Sequence, residues 1–275
     1  MNTLKTTFLL AALTAVFIVV GNLIGGQSGM IIALALAGIM NFVSYWWSDK
    51  IVLMRYRAEP LSREDAPKLY SMVEDLTARA SMPMPKLYLL PSESPNAFAT
   101  GRNPEHAAVA VTQGLMDLMD YEEVQGVVAH ELSHIRHRDT LIGTVAATLA
   151  GAVMVLANMA RWGAILGGGS RDNDGGSIIG LLATAIVAPI AAMLIQMAIS
   201  RSREFKADAG AAEITGNPNG LASALKKLKT AGERIPLKAT QSTAHMFIYQ
   251  PFLGTIGRLF STHPPIEERV RRLIG

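Results

Sequence analysis

Long stretches without charged residues divide the 275-residue chain. No charged residue occurs between Lys5 and Asp49. The length of this stretch is about twice the ~20 residues that one helix needs to cross a bilayer. A glycine-rich run at 25–29 interrupts this stretch, and glycine tolerates the positive φ angles of a tight reversal. The pattern predicts a hairpin of two membrane-spanning helices, at about 7–24 and 30–47. A cleaved signal peptide is the alternative for the first helix, although its apolar run exceeds the roughly 7–15 residues typical of such peptides.

Two more charge-free runs lie in the middle of the chain, at 140–160 and 175–200. The second is predicted to span the membrane. The first is rich in alanine and glycine, which suits either a closely packed membrane helix or a buried helix of a soluble domain. With four spans, the positive residues near the span ends, Arg136, Arg138 and Arg201 among them, share one side. The positive-inside rule then places both termini and both polar segments in the cytoplasm.

The expected architecture is therefore an α+β, multi-pass α-helical membrane protein in four parts. A two-helix transmembrane hairpin at 1–48 precedes the first half of a cytoplasmic domain at 49–139. A second transmembrane hairpin at 140–200 separates it from the second half at 201–275. Because the two polar segments are expected on the same side, they can assemble into one mostly helical domain.

The first polar segment carries the periodicities of a helix and a small sheet. Between Ser62 and Ala80, apolar residues recur at helical spacing, with Ser62 available as the N-cap. Three short apolar stretches follow at 86–90, 97–100 and 106–112, and residues typical of turns separate them. We predict one amphipathic helix and a sheet of three strands.

Composition restricts the chemistry. Only 17% of the residues are charged, whereas about a quarter are charged in ordinary soluble domains. The net charge is +3, and the lack of a large basic block argues against a nucleic-acid partner. The chain has no cysteine, so a bound metal must be held by histidine, aspartate or glutamate.

A His-Glu-x-x-His motif lies just before the third apolar run. Asp120 and Glu123 have the spacing of a capping box, which predicts a helix that continues into His130 and His134. Histidines at i and i+4 share one helix face, so both imidazoles can bind one zinc ion. Glu131 lies beside them, and its carboxylate can take a proton from water and pass it to a leaving amine. The alternative is a solvated helix face without a metal.

A catalytic zinc needs a third protein ligand and one open position. His137 is on nearly the same face, but it is crowded into the same short arc, and Thr140 stands where the metzincin pattern has its third histidine. The remaining candidate is Glu204 on a second helix, with Asp208 one turn later to accept the N–H of a ligating histidine. The alternative is that these charges only form a solvated collar at the end of a membrane helix.

Four motifs together resemble the HtpX-type membrane zinc metalloproteases, a bacterial and archaeal heat-shock protease family of gluzincins related to the CAAX prenyl proteases. The motifs are PNAFATG at 95–101, HELSH at 130–134, REFKAD at 203–208 and STHPPIEER at 261–269. The resemblance implies one zinc ion per chain, bound by His130, His134 and Glu204, and catalysis by Glu131. It also implies cleavage of misfolded or damaged membrane proteins at the cytoplasmic face of the bacterial or archaeal inner membrane, in quality control and stress response.

Two of these motifs suggest further roles. The strand of Ala97, Phe98 and Ala99, which follows Asn96, can bind an extended polypeptide by main-chain pairing if its edge is exposed near the zinc. The alternative is an ordinary structural strand. His263, before two prolines, can donate a hydrogen bond to the oxyanion of the tetrahedral intermediate, or it is a surface histidine on a loop. The segment from about 232 to 260 matches no motif, so His245 has no assigned role.

The expected partners are thus membrane-protein substrates and the lipid bilayer. The alternative function is a membrane zinc-binding scaffold or transporter without proteolysis. A transport site needs ionisable ligands within the spans, and none of the four predicted spans contains one. An intramembrane protease would carry His-Glu-x-x-His inside an apolar helix, whereas charged residues such as Glu122 and Arg138 surround the motif here.

Overall fold

The N-terminal part of the chain is helical and folds back on itself. The computed structural model describes residues 2–146, 148–149, 201–234, 246–248 and 264–275, and its first helix is α1 (Asn2–Arg55). Within α1, Gly26 has a φ of 55°, and Asn41 Nδ2 donates hydrogen bonds to Leu10 O at 3.3 Å and Thr14 Oγ1 at 2.9 Å. In a straight helix, residues 10 and 41 would lie about 46 Å apart. The chain therefore reverses near Gly26 and forms two antiparallel arms.

The second arm has the composition of a membrane helix. Among the residues that the structure describes, Gly26–Arg55 is the one helical stretch long and apolar enough to cross a bilayer, with a mean hydropathy of 1.7 and 17% of its apolar window buried. Trp46 and Trp47 are exposed near its end, where aromatic rings favour a membrane interface. The predicted spans at 140–160 and 175–200 lie largely outside the described residues, so the four spans and the four-part division of the chain stay predictions.

Within the described residues, the sheet has four strands rather than the predicted three. These are β1 (Glu59–Pro60), β2 (Lys86–Leu90), β3 (Ala97–Gly101) and β4 (Ala107–Thr112), in the order β1-β2-β4-β3. β2 runs parallel to β4, and the β1–β2 and β3–β4 pairs are antiparallel. β1 was missed because two residues, one of them a proline, show no alternating pattern.

Both faces of the sheet are buried, each in its own hydrophobic core. Successive side chains of a strand point to opposite faces, so neighbouring residues belong to different cores. Ala97, Val109 and Val111 belong to a core shared with the helices that follow. Phe98 belongs to a second core, formed with the end of α1 and with Phe247. Alanine at positions 97 and 99 keeps the first face of β3 flat enough for a helix to approach closely.

The remaining helices are α2 (Pro67–Arg79), α3 (Gln113–Leu118), α4 (Tyr121–Arg136), α5 (Arg201–Thr215), α6 (Pro218–Arg234) and α7 (Ile266–Ile274). The prediction of Ser62 as the N-cap of α2 is wrong. Ser62 instead hydrogen-bonds Asp65 Oδ2 at 2.6 Å in the preceding turn, and α2 begins at Pro67, whose fixed φ suits the first helical position. Residues 139–146 and 148–149 are also helical.

The predicted capping box of α4 is confirmed. Asp120 Oδ1 accepts from Glu123 N, and Glu123 Oε2 accepts from Asp120 N, both at 3.0 Å. Glu123 is buried and also accepts hydrogen bonds from Ser223 Oγ and Lys227 Nζ of α6. These contacts fix the start of α4 against α6, and so they also fix the position of the motif two turns further along.

Candidate metal centre

α4 presents two histidines from one face, one turn apart. The Nε2 atoms of His130 and His134 are 3.1 Å apart, and the rings are nearly perpendicular at 89°. His130 is almost completely buried, while His134 is partly accessible. Both imidazoles therefore direct the same ring nitrogen at one point.

α5 brings Glu204 to this point. Glu204 Oε1 lies 3.4 Å from His134 Nε2, and Oε2 lies 3.8 Å from His130 Nε2. The two helices pack very closely at Gly210 of α5. A Cβ built there would lie 2.2 Å from Ser133 Oγ of α4. The structure thus brings together the three residues that the sequence proposes as metal ligands, with their ligand atoms all within 4.8 Å of one another.

The separations of these atoms fit a single metal ion. Zinc binds imidazole nitrogen and carboxylate oxygen at about 2.0–2.2 Å, so two tetrahedral ligand atoms lie about 3.4 Å apart. The three observed distances of 3.1, 3.4 and 3.8 Å bracket this value. The donor set of two nitrogens and one carboxylate also suits zinc and leaves a fourth position for another group.

The other nitrogen of His130 faces Asp208. His130 Nδ1 lies 3.0 Å from Asp208 Oδ1, so the expected pairing of Asp208 with a histidine of the motif is seen at His130. Arg269 of α7 holds Asp208 through two parallel contacts, Nε to Oδ2 at 2.9 Å and Nη2 to Oδ1 at 2.7 Å. Burial raises the pKa of Asp208, but the Arg269 charge and hydrogen bonds outweigh burial and lower the pKa to about 2. Asp208 is therefore a carboxylate at any physiological pH.

The other nitrogen of His134 faces Asp139, which the sequence analysis missed. His134 Nδ1 lies 3.2 Å from Asp139 Oδ2, and Asp139 Oδ1 lies 3.8 Å from Arg203 Nε. The available signal was a carboxylate three residues after the end of α4 and five residues beyond a histidine of the motif. Each imidazole thus has a carboxylate partner that can fix its tautomer and orientation.

The two imidazoles have opposite electrostatic surroundings. Burial lowers the pKa of His130 to about 4, despite its hydrogen bond to Asp208. Burial also lowers the pKa of His134, but hydrogen bonds to Asp139 and Glu204 outweigh burial and raise the pKa to about 10. Carboxylates therefore surround the point between the imidazoles and favour a positive charge there.

Glu131 and His137 are arranged differently from the three clustered residues. Glu131 is buried, at 3% exposure, and its negative charge helps to raise the pKa of His134, so it lies within electrostatic reach of the centre. His137 Nδ1 is 2.8 Å from Ser133 O, which directs this ring nitrogen at the backbone of α4. The structure does not bring His137 into the cluster.

The candidate substrate strand β3 is the outer strand of the sheet within the described part of the chain. Its side chains are buried, and Ile248 N donates a hydrogen bond to Ala97 O at 3.3 Å, so one group of its outer main-chain edge is already paired. Neighbouring Phe247 covers Phe98, with ring centroids 5.2 Å apart. Asn96 is also buried, and its Oδ1 accepts from Ala97 N at 3.1 Å.

Two histidines that the sequence analysis considered, His245 and His263, lie outside the described residues. Arg269, by contrast, is described and lies in the fourth motif, but the sequence suggested no role for it. Its signal is visible only in three dimensions, as a buried arginine on a helix whose neighbouring charges Arg271 and Arg272 are exposed.

A helix that carries His-Glu-x-x-His, together with a glutamate from a second helix, defines the centre of a gluzincin-type metallopeptidase. The sequence profile of peptidase family M48 matches residues 63–275, and the chain belongs to this family. The chain is therefore a metalloendopeptidase, and the predicted resemblance to the HtpX family is confirmed by its relatives.

Three proteins named "Protease HtpX homolog" show the extent of the similarity. The one from Desulforapulum autotrophicum is 58% identical, with 99% of this chain and 89% of the relative covered. Those from Syntrophobacter fumaroxidans (57% identical; 98% and 97% covered) and Pyrococcus furiosus (54%; 98% and 94%) are also matched over nearly their full length. The chain is therefore similar over nearly its full length to proteases named as HtpX homologues in three different organisms.

Among solved structures, the crystal structure of S. mikatae Ste24p matches with a TM-score of 0.55 and 17% sequence identity. The match covers 100% of this chain and 66% of that chain. At this level of identity the similarity establishes a shared fold, which is mostly helical with a small mixed sheet. The fold class expected from the sequence is confirmed to that extent.

Proposed function

We propose that the chain is a membrane-embedded, zinc-dependent endopeptidase that cleaves misfolded or damaged membrane proteins at the cytoplasmic face, in quality control and stress response. The observation that carries the proposal is the cluster of His130, His134 and Glu204, whose ligand atoms are 3.1 to 3.8 Å apart. Membership of family M48 supports proteolysis, and the apolar helical stretch Gly26–Arg55 and the similarity to HtpX homologues support the membrane location.

In this proposal, His130 and His134 hold zinc through Nε2, and Glu204 holds it through its carboxylate. Zinc bound there supplies a Lewis acid that polarises the scissile carbonyl and makes water a better nucleophile near neutral pH. Asp208 and Asp139 accept the Nδ1 hydrogens of the two imidazoles, which leaves each Nε2 with a lone pair for the metal. The site is thus preorganised by residues that do not themselves touch the metal.

In this proposal, Glu131 is the general base and then the general acid of the reaction. Its carboxylate accepts a proton from the attacking water and then delivers it to the nitrogen of the leaving amine. The side chain is 3% exposed, so it is largely shielded from bulk water. That shielding strengthens its interaction with charge that develops during the reaction.

β3 offers the substrate a main-chain edge. In the antiparallel β3–β4 pair, Phe98 faces Ala110, and Asn96 O accepts from Thr112 N, so these residues bond towards β4. By alternation, the backbone groups of Ala97 and Ala99 point to the outer edge. Ile248 already occupies the carbonyl of Ala97, which leaves the groups beyond it for an extended substrate segment.

The end of β3 is connected to the predicted membrane segments at two points. Arg102, next to the last residue of β3, lies over the ring of Trp46 at 4.5 Å from the ring centroid. Thr140 Oγ1, at the start of the third predicted span, donates a hydrogen bond to Gly101 O at 3.1 Å. Trp46 is one of the aromatic residues expected at the membrane interface. These contacts support a cleavage site close to the bilayer surface.

Substitution of Glu131 tests the chemistry. Glu131→Gln keeps the shape of the side chain but removes its basicity, so we expect stoichiometric zinc with loss of casein cleavage in detergent. Glu122→Gln, on the exposed first turn of α4, is the matched control and should cleave as the wild type does. Undiminished cleavage by zinc-loaded Glu131→Gln would exclude Glu131 as the base.

The membrane part of the proposal needs a separate experiment. One cleavable segment is moved along a reporter in reconstituted vesicles, from next to a transmembrane span outward on a flexible linker, and then to the opposite loop. We expect cleavage within about 20 residues of the span, on the cytoplasmic side, because a site at the bilayer surface meets extended segments there first. Equal cleavage at every distance would contradict presentation by the membrane, and cleavage on the opposite side would contradict the topology.

A further inference from the structure

Arg269 is a fully buried arginine beside the metal centre. It lies on α7, is 1% exposed and is among the largest fully buried side chains of the described residues. Arginine is rarely buried completely unless it is paired, because removing its charge from water is unfavourable. A buried guanidinium at this position therefore needs partners that compensate its charge and accept hydrogen bonds from its N–H groups.

The guanidinium is bound on two sides. Its Nε and Nη2 contact the two oxygens of Asp208 at 2.9 and 2.7 Å, and Nη2 is 3.4 Å from His130 Nδ1. On the other side, Nη1 donates to Ile248 O at 3.4 Å and lies 3.8 Å from Glu204 Oε2. One side chain thus contacts two of the proposed metal ligands and the carboxylate behind one of them.

We propose that Arg269 is the positioning residue of the metal centre, a role that rests on the function proposed above. Its planar fork fixes the plane of the Asp208 carboxylate, so that Oδ1 stays 3.0 Å from His130 Nδ1. The Nδ1 hydrogen is then bound to Asp208, and Nε2 of His130 is held towards His134 and Glu204. Arg269 acts through Asp208 and has no part in the reaction itself.

The second contact extends this role to the substrate strand. Ile248, whose carbonyl accepts from Arg269, donates its own N–H to Ala97 O of β3. Arg269 is therefore connected by one residue to the metal ligand His130 and by another to the outer edge of β3. The distance between the metal centre and the proposed substrate edge depends on this single side chain.

Lysine cannot replace arginine in this arrangement. Its ammonium is a point charge that cannot contact both oxygens of Asp208 in parallel while also reaching Ile248 O. Arg269→Lys keeps the positive charge and removes only the planar guanidinium that contacts both carboxylate oxygens. This substitution separates the positioning role from a general requirement for a buried cation.

The experiment measures zinc affinity of the full-length protein in detergent, by competition with a chromogenic chelator. We expect Arg269→Lys and Arg269→Ala each to bind zinc about 10–100-fold more weakly than the wild type, as is typical when an outer partner of a metal ligand is lost. Guanidinium ion at millimolar concentration should restore much of the affinity to Arg269→Ala and none to Arg269→Lys. Arg271→Ala, on the exposed side of α7, is the matched control and should bind zinc normally.

A double variant guards against misfolding. Asp208→Asn with Arg269→Met removes both buried charges, and such neutral replacements are often tolerated. We expect this protein to unfold at a temperature near that of the wild type, yet to bind zinc no better than the single variants, because the two residues act as one unit. Wild-type zinc affinity in Arg269→Lys or in the double variant would overturn the proposal.

Activity measurements distinguish this inference from the proposed function. Zinc affinity is measured without any substrate, so the inference can fail while zinc-dependent cleavage by the wild type persists. Conversely, a wild type without Glu131-dependent cleavage contradicts the proposed function and leaves the affinity result to decide the role of Arg269. With saturating zinc, Arg269→Lys should also raise KM for casein more than the Arg271→Ala control does, because the contact through Ile248 to β3 is weakened.

Discussion

Gly210 of α5 faces Ser133 of α4 so closely that a Cβ at position 210 would come within 2.2 Å of Ser133 Oγ and 3.0 Å of Ser133 Cβ. Ser133 is the residue before His134, and Gly210 is less than two turns beyond Glu204. The close approach of the helices is therefore what allows a glutamate side chain on α5 to reach the imidazoles on α4.

Gly210→Ala tests this contact. The added methyl group has no space, so α5 must move away from α4, and we expect a loss of stability of about 1–3 kcal/mol together with weaker zinc binding. Adding Ser133→Ala removes the closest atom and should restore part of both properties. Gly38→Ala, where a Cβ meets nothing within 4 Å, is the control and should change neither. Thermal unfolding and chelator competition measure the two effects, and an unaffected Gly210→Ala would contradict the tight contact.

The identity of the third ligand is tested by two alanine substitutions. Glu204→Ala removes a ligand atom and should weaken zinc binding by more than the roughly 10–100-fold that loss of an outer partner costs. His137→Ala should retain zinc, because its Nδ1 is directed at Ser133 O. Metal analysis after gel filtration gives the comparison. The reverse order would contradict the gluzincin assignment, and harm from Asp208→Asn alone would mean that Asp208 is the ligand.

Asp139 belongs to none of the four sequence motifs, but its position beside His134 predicts a role in zinc binding. Asp139→Asn removes the carboxylate 3.2 Å from His134 Nδ1, and we expect zinc affinity to fall about 10–100-fold. The metal-free protein should also lose part of the stability that the raised pKa of His134 provides at neutral pH. Asp117→Asn, on the exposed end of α3, serves as the control. An Asp139→Asn protein with normal zinc affinity would show that His134 needs no carboxylate to orient it.

Zinc affinity should depend on pH through His134. The pKa of this imidazole is raised to about 10, so the metal-free protein holds a proton there at neutral pH, and zinc must displace it. Apparent affinity should rise about tenfold per pH unit from pH 7 to 9. Calorimetry in buffers of different ionisation enthalpy should show release of about one proton per zinc at pH 7.5. Release of no proton would contradict a protonated His134.

The raised pKa of His134 affects the stability of the metal-free protein in the opposite direction: zinc affinity rises with pH, whereas this stability falls. A group whose pKa is raised by folding stabilises the protein below its unfolded pKa, here the ordinary value of 6.5. This contribution is lost progressively as the pH rises to about 10. The zinc-loaded protein, in which His134 carries no proton, should lack this dependence, so comparing the thermal unfolding of both forms between pH 6 and 10 checks the sign.

The features that the sequence predicts well depend on local spacing. The capping box of Asp120 and Glu123 and the i, i+4 histidines are properties of one helix, and their geometry follows from helical periodicity alone. Glu204 was found by chemistry, because a zinc site needs a third ligand and the chain contains no cysteine.

The features that the sequence does not predict depend on contacts between distant segments. Asp139 and Arg269 look like ordinary surface charges until the fold places them behind His134 and Asp208. Likewise, an edge strand at Ala97 reads as exposed because nothing in the pattern indicates that Ile248, from a segment without a motif, binds to it. Ser62 was misassigned as a cap because Asp65 and Pro67 offered a competing turn just ahead of the helix.

The division of the metal centre between two polar segments sets an order of events during synthesis. His130 and His134 leave the ribosome before the apolar stretch at 140–200, Glu204 leaves after it, and Arg269 leaves later still. At typical rates of translation, on the order of ten seconds separate the first of these residues from the last. In the proposed topology, the growing chain passes its hydrophobic middle to the membrane while its ligand set is incomplete, so a half-made protein cannot degrade the nascent chains around it.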